Sequence, residues 1–192
     1  MHSEFCPARE FTTKLGNRST IDRNIELKLC VLVGNEDKVL LTRTTDHISF
    51  FPKKWVLPED DLLTNEPLNH TAARILNSQL NVPLMQFEVS PFMLYEEVVP
   101  YKLEWGLPRR QRLLLFVRAD LRDLHVDRVN GGKIDYAIWI GKEHLFDSKT
   151  ANVESVGDNI RIDKSQWASI APNKVGEGIA EGHLNALKRH FA

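Results

Sequence analysis

The stretch WVLPEDDLLTNEPLNHTAARILNSQLNV, Trp55 to Val82, decides how this chain is read. Its first four residues form a short extended piece ending in a proline, and Glu59-Asp60-Asp61 follow as an acidic turn. A helix is expected from about Pro67 to Gln79, because Leu68, Ala72, Ile75 and Leu76 recur at helical spacing and define one buried stripe. Proline suits the first helical turn, where its missing N–H has no intrahelical partner anyway. Asn65 or Glu66 is placed to cap the helix or to complement its positive end, and Asn81-Val82-Pro83 ends it.

Upstream, Ile25 to Thr42 gives two apolar runs around Gly34-Asn35-Glu36-Asp37, the signature of a β-hairpin. Downstream, Phe87–Leu94, Arg112–Ala119 and Asp135–Ile140 read as strands. An aromatic loop, Tyr101 to Pro108, separates the first two. The pair Gly131-Gly132 is too short for a phosphate loop and reads as a turn. Residues 141–165 are polar and loop-like, and Glu181–Phe191 reads as an amphipathic terminal helix. This order predicts an α/β fold of the α+β type, a mixed sheet sandwiched between helices. Residues 1–24 read as an N-terminal extension and residues 25–192 as one domain that includes the terminal helix.

A strand hairpin, then W-x-x-P, an acidic loop and a helix resembles the Nudix hydrolase family. With no gap, that family's box falls on Asp60 to Val82. Glu66 and Arg74 match its first Glu and its Arg, Leu76 and Val82 its aliphatic positions, and Trp55 and Pro58 its flanking Trp and Pro. Beyond the box, Tyr95-Glu96, Pro100, Leu103 and Trp105-Gly106-Leu107-Pro108 resemble one subgroup, the nucleoside diphosphate-linked moiety X motif 17 proteins, described as mRNA cap hydrolases. The resemblance covers about Ile25 to Ile140.

The departures fall on the chemistry. The family's paired glycines are Glu59 and Asp60, its three metal-binding glutamates are Ile75, Ser78 and Gln79, and its terminal Gly is Asn81. Positions 75, 78 and 79 share one helix face. A hard cation such as Mg²⁺ requires oxygen ligands, and carboxylates supply the charge that holds it. Ile75 offers no oxygen, and Ser78 and Gln79 offer neutral ones. Metal assistance worth several kcal/mol is lost with them, and each ~1.4 kcal/mol is a tenfold drop in rate. The degenerate box positions Asp60, Glu66, Arg74, Ile75, Ser78 and Gln79 are therefore expected to be non-catalytic, with no metal or other cofactor required.

The one loophole is a relocated Mg²⁺ or Mn²⁺ site on Glu59, Asp60, Asp61 and Glu66, with Glu96, Glu97 and Asp135 as more distant acids. The simpler reading is a solvated acidic turn at a helix N-terminus. Trp105, Arg109, Arg110 and Arg112 form an aromatic and basic group suited to a nucleotide, set against a solvated loop and strand edge. Trp139 reads as core, and His70, His183 and His190 as solvent-facing.

With 42% hydrophobic and 27% charged residues and a formal net charge of −1, the chain lacks the imbalance of a general nucleic-acid or membrane-surface binder. Cys6 and Cys30 lack metal-type spacing, and Cys30 reads as a small buried hydrophobe. The first twenty residues lack a signal peptide's apolar core, and no stretch reaches membrane-spanning length. Arg9, Lys14 and Arg18 keep organellar import open, while Glu4 and Glu10 argue against it. The expectation is a soluble intracellular protein, cytoplasmic by default.

Three functions follow as expectations. The first is a catalytically degenerate Nudix-fold protein serving as a protein-interaction or structural subunit in a larger assembly. The second is a nucleotide sensor that does not hydrolyse. The third is a Mg²⁺-dependent hydrolase of nucleoside diphosphate derivatives or capped RNA, using relocated ligands.

Overall fold

The computed structural model describes residues 25–46, 52–99, 110–119, 121, 126, 129–142, 154–156 and 178–192. The N-terminal extension and the Tyr101–Pro108 loop lie outside these residues. Eight strands and two helices are described: β1 (Ile25–Val33), β2 (Lys38–Thr44), β3 (Trp55–Val56), β4 (Glu59–Asp61), α1 (Leu68–Leu80), β5 (Val89–Val99), β6 (Arg110–Ala119), β7 (Ile134–Gly141), β8 (Glu154–Val156) and α2 (Glu181–Phe191). The stretch read as loop from residue 141 onward thus contains β8, which pairs with β7.

β1 is the centre of the layer. Leu29 to Val33 are apolar at both parities and buried on both faces, the pattern of a strand with cover above and below. It runs parallel to β6 over nine register pairs, from Ile25 opposite Gln111 to Val33 opposite Ala119, and antiparallel to β4 on its other edge. The first sheet is ordered β4-β1-β6-β5 and the second β3-β2-β7-β8.

Strand alternation divides the interior in two. Leu29, Val31, Val33, Leu40, Leu115, Val117 and Ala137 pack against Ala72, Ile75, Leu76 and Leu80 of α1. Cys30, Leu32, Val39, Leu41, Leu114, Phe116, Ile138 and Ile140 pack against Leu184, Ala186, Leu187 and Phe191 of α2. Both sheets feed both clusters, so a helix covers each face of the strand layer, as expected for the α+β reading.

The anticipated hairpin is the point of difference. β1 and β2 are consecutive, yet they meet only through an isolated bridge between Gly34 and Val39 and enter different sheets. The side-chain oxygen of Asn35 accepts from the backbone N–H groups of Asp37 and Lys38, folding the turn on itself. Gly34 has φ 151°, and a Cβ there would lie 2.2 Å from the Lys38 carbonyl oxygen. The turn therefore swings the chain out of register instead of extending a ladder.

α1 starts one residue later than expected, with Pro67 as its N-cap and no side-chain capping bond. It ends at Asn81 in the left-handed conformation, φ 55°, whose N–H donates to Asn77 O. α2 matches its expected span. No helix among the described residues is long and apolar enough to cross a membrane.

Gly34→Ala tests the turn. It is expected to destabilise the fold by about 1–3 kcal/mol, read as a lower urea midpoint at unchanged slope.

Candidate functional site

The acidic segment after Pro58 is a strand, β4, paired with β1 through Lys28 opposite Asp61, Leu29 opposite Asp60 and Cys30 opposite Glu59. This corrects the reading of Glu59, Asp60 and Asp61 as a turn, and it has a chemical consequence. A strand sends successive side chains to opposite faces, so the three carboxylates cannot converge on one cation. Asp60 faces α1, where Arg74 Nη1 lies 3.4 Å and Lys133 Nζ 2.5 Å from its carboxylate. Asp61 lies on the other side and pairs with Lys28 at 2.6 Å. Glu59 turns inward beneath α2.

Glu66 and Arg74, the two residues that match the family's box, bond to each other. Arg74 Nε and Nη2 donate to the Glu66 carboxylate, Nη2 at 2.9 Å, and Nη2 also donates to the Asp61 carbonyl. Thr71 Oγ1 donates to Glu66 as well. The Arg74 bonds hold the Glu66 carboxyl below its usual value against burial. At Asp60 burial pushes upward, and the bonds from Lys133 and the Asp61 N–H outweigh it, so that carboxyl is also held low. Each member of the proposed relocated set already has a protein cation.

The box face itself does not fit a divalent ion. Ile75 is fully buried in the α1 cluster. Ser78 is exposed and donates back to the Ile75 carbonyl of its own helix. Gln79 is buried, and its Nε2 donates to the Glu59 carbonyl at 2.7 Å. Its Oε1 is buried with no hydrogen-bond partner in the described residues. That amide is spent on the backbone of β4, where a carboxylate would meet the carbonyl oxygen as a second acceptor.

Beneath α2 lies a charged cluster that the sequence reading did not assemble. Arg112 was taken as a nucleotide contact or a solvated residue, yet it is 1% exposed. Its Nη2 donates to Glu59 Oε1 at 2.5 Å and its Nη1 to Glu97 Oε2 at 3.3 Å. His183, expected on the solvent side, is 0% exposed and stacks edge-on against Phe116. The reason is register: Arg112 has the inward parity of Leu114 and Phe116, and Glu97 sits directly opposite it on β5. That parity was readable from Arg112–Ala119, whereas the matching acid and histidine lie far away in sequence. Burial drives the Glu97 carboxyl above its usual value. At Glu59 the Arg112 charge and the His183 bond overcome burial and hold the carboxyl well below it.

Cys30, Glu59 and His183 bring one sulfur, oxygen or nitrogen atom each within 4.8 Å of one another. The trio still does not fit a cation. The Leu57 N–H donates to His183 Nδ1 at 3.0 Å, which leaves the ring proton on Nε2, facing Glu59 Oε2 at 3.2 Å. Arg112 meanwhile supplies the positive charge, and burial raises the Cys30 thiol, which donates to Glu59 at 3.6 Å, well above its usual value.

The other candidates are dispersed. Trp105 and Arg109 lie outside the described residues, and Arg110 is described only as the first residue of β6. Asp135 forms a two-point pair with Arg43, whose guanidinium lies over Tyr136. Trp139 is half-buried, with Lys38 over its ring. His70 is exposed as expected, but His190 is half-buried and 3.0 Å from the Asn35 carbonyl oxygen.

A strand layer with one helix on each face, and a box helix following W-x-x-P, define a Nudix-fold protein. Two solved structures share this architecture. The MutT/nudix family protein from Enterococcus faecalis superposes with a TM-score of 0.52 at 14% identity, covering 100% of this chain and 74% of that one. The NUDIX domain of Shewanella oneidensis NrtR, solved in complex with ADP ribose, gives 0.51 at 14% identity, covering 85% and 84%. In sequence the chain is similar to the m7GpppN-mRNA hydrolase NUDT17 of Bos taurus, 30% identical over 129 residues, and of Homo sapiens, 34% over 119 residues. These alignments cover 63% and 59% of this chain but 43% and 36% of the relatives, so the chain spans less than half of their length. No family model matches the chain.

A carboxyl whose folded value is lowered stabilises above its unfolded value, about 4 to 4.5, and that stability is lost as the pH falls. Asp60 and Glu66 are both lowered and both bound to Arg74. Arg74→Met is therefore expected to cost about 1 kcal/mol near neutral pH, the scale of part-exposed pairs. It should also flatten the loss of urea stability on acidification through that range. Glu97, which titrates in the opposite sense, does not touch Arg74 and cancels in the comparison.

Proposed function

We propose that this domain is a Nudix-fold module that does not perform metal-dependent diphosphate hydrolysis and acts by binding, as an interaction or structural subunit of a protein assembly. One observation carries this reading. The helix face that holds cations in the resembled box is occupied by Ile75 in the core, Ser78 bonded to its own helix and Gln79 bonded to β4. A Mg²⁺ ion brought there would meet only the neutral oxygens of Ser78 and Gln79, and it would have no carboxylate to offset its dehydration. The cation pairing of Asp60, Asp61 and Glu66 removes the nearest substitutes.

Hydrolysis of capped RNA is the competing reading, and the name m7GpppN-mRNA hydrolase borne by the sequence relatives is what favours it. Calorimetric titration with Mg²⁺ and Mn²⁺, followed by release of m7GDP from m7GpppN-capped RNA, separates the two. The expected result is no saturable metal binding and hydrolysis at background. Saturable binding with turnover that drops at least about tenfold, ~1.4 kcal/mol, in Glu66→Gln would overturn the proposal.

Gln79→Glu adds a second expectation. Reinstating one box carboxylate places it against the Glu59 carbonyl in a buried site, which should cost about 1–3 kcal/mol without creating Mg²⁺ affinity. The same titration and a urea melt measure both.

A further inference from the structure

Glu59 stands at the first of the resembled family's paired glycines, one residue before the box begins at Asp60, and it makes contacts in two directions. Its backbone carbonyl accepts from Gln79 of α1 at 2.7 Å. Its carboxylate accepts from Arg112 of β6 at 2.5 Å and faces His183 of α2 at 3.2 Å. α1 and α2 lie on opposite faces of the strand layer. We propose that Glu59 is a joint that couples the docking of the terminal helix to the box helix across the sheet, so that a disturbance at either helix is transmitted to the other.

The surroundings leave the joint little freedom. His183 is fixed at Nδ1 by the Leu57 N–H, and its Nε2 lies 3.2 Å from the Glu59 carboxylate. Gly182 lies so close to β5 that a Cβ there would come within 2.8 Å of the Tyr95 ring and 3.0 Å of Glu97 Oε1. Backbone bonds from Trp55 N to Gly178 O and from Ala180 N to Trp55 O tie the entry of α2 to β3, four residues before Glu59. On the other face, Ile75 and Leu76 seat α1 on β1, the strand that pairs with β4. Close-packed groups of this kind shift together or not at all, because the interior has no slack to absorb a local movement. The coupling holds whether or not the domain hydrolyses anything, so its test is independent of the metal assay.

Hydrogen exchange of the whole chain, resolved by peptide, reads the coupling. Gln79→Leu removes the α1 contact and touches nothing in α2. It is expected to speed exchange of residues 181–191 at least threefold, in addition to residues 68–80, while β2 and β7 stay unchanged. Glu59→Gln should speed residues 181–191 about tenfold and residues 68–80 at least threefold. If Gln79→Leu alters α1 alone and Glu59→Gln alters α2 alone, these are separate contacts and the joint does not exist. Equal acceleration throughout both sheets would overturn it too, as mere loss of global stability. Should either variant fail to fold, the wild-type chain in sub-denaturing urea decides. α1 and α2 must then open with one shared urea dependence, and two different dependences overturn the proposal.

Discussion

The ion pair between Glu59 and Arg112 sits where the layers of this molecule meet. Arg112 reaches it from β6 and Glu97 completes it from β5, while β4 supplies the acid and His183 closes it from α2. Removing charges from water is costly enough that a buried pair often adds little net stability. Breaking one, by contrast, strands the partner and typically costs about 3–5 kcal/mol. The pair thus acts as a constraint: the four elements have to come together in one register or leave a bare charge inside. The unusual burial of Arg112, at 1% exposure, follows from this.

The same strand that turns Glu59 toward α2 turns Asp60 toward α1, and that alternation governs the chemistry of the whole box region. An acidic turn could gather its carboxylates around an ion. A β-strand divides them, and each then finds its own cation in Arg112, Arg74 or Lys28. Gln79 joins the arrangement from the helix by taking the Glu59 carbonyl. The substitutions that distinguish this box are therefore mutually consistent: Ile75 packs in the core beneath α1, and Gln79 bonds to the backbone of β4. Agreement among local choices of this kind is what a well-specified native state requires.

Some of this was determined by the sequence alone. The helical stripe Leu68, Ala72, Ile75 and Leu76 is buried as read, and the terminal helix spans Glu181–Phe191 as read. W-x-x-P with the following helix was enough to reach the Nudix fold, because periodicity and short motifs are local properties. The absence of carboxylates at 75, 78 and 79 is likewise a matter of residue identity.

Only the tertiary structure decided the rest. Whether Glu59–Asp61 is a turn or a strand depends on β1 offering an edge, through pairs 29 to 33 residues apart in sequence. Whether Arg112 and His183 face water depends on partners 53 residues away in one case and, for the Leu57 N–H on His183, 126 in the other. Composition and periodicity cannot report such distances, since a charged residue is buried only when its counter-charge arrives from elsewhere in the chain. The erased motif was visible in the sequence, but the use to which its positions were put appeared only when the two helices closed on the sheet.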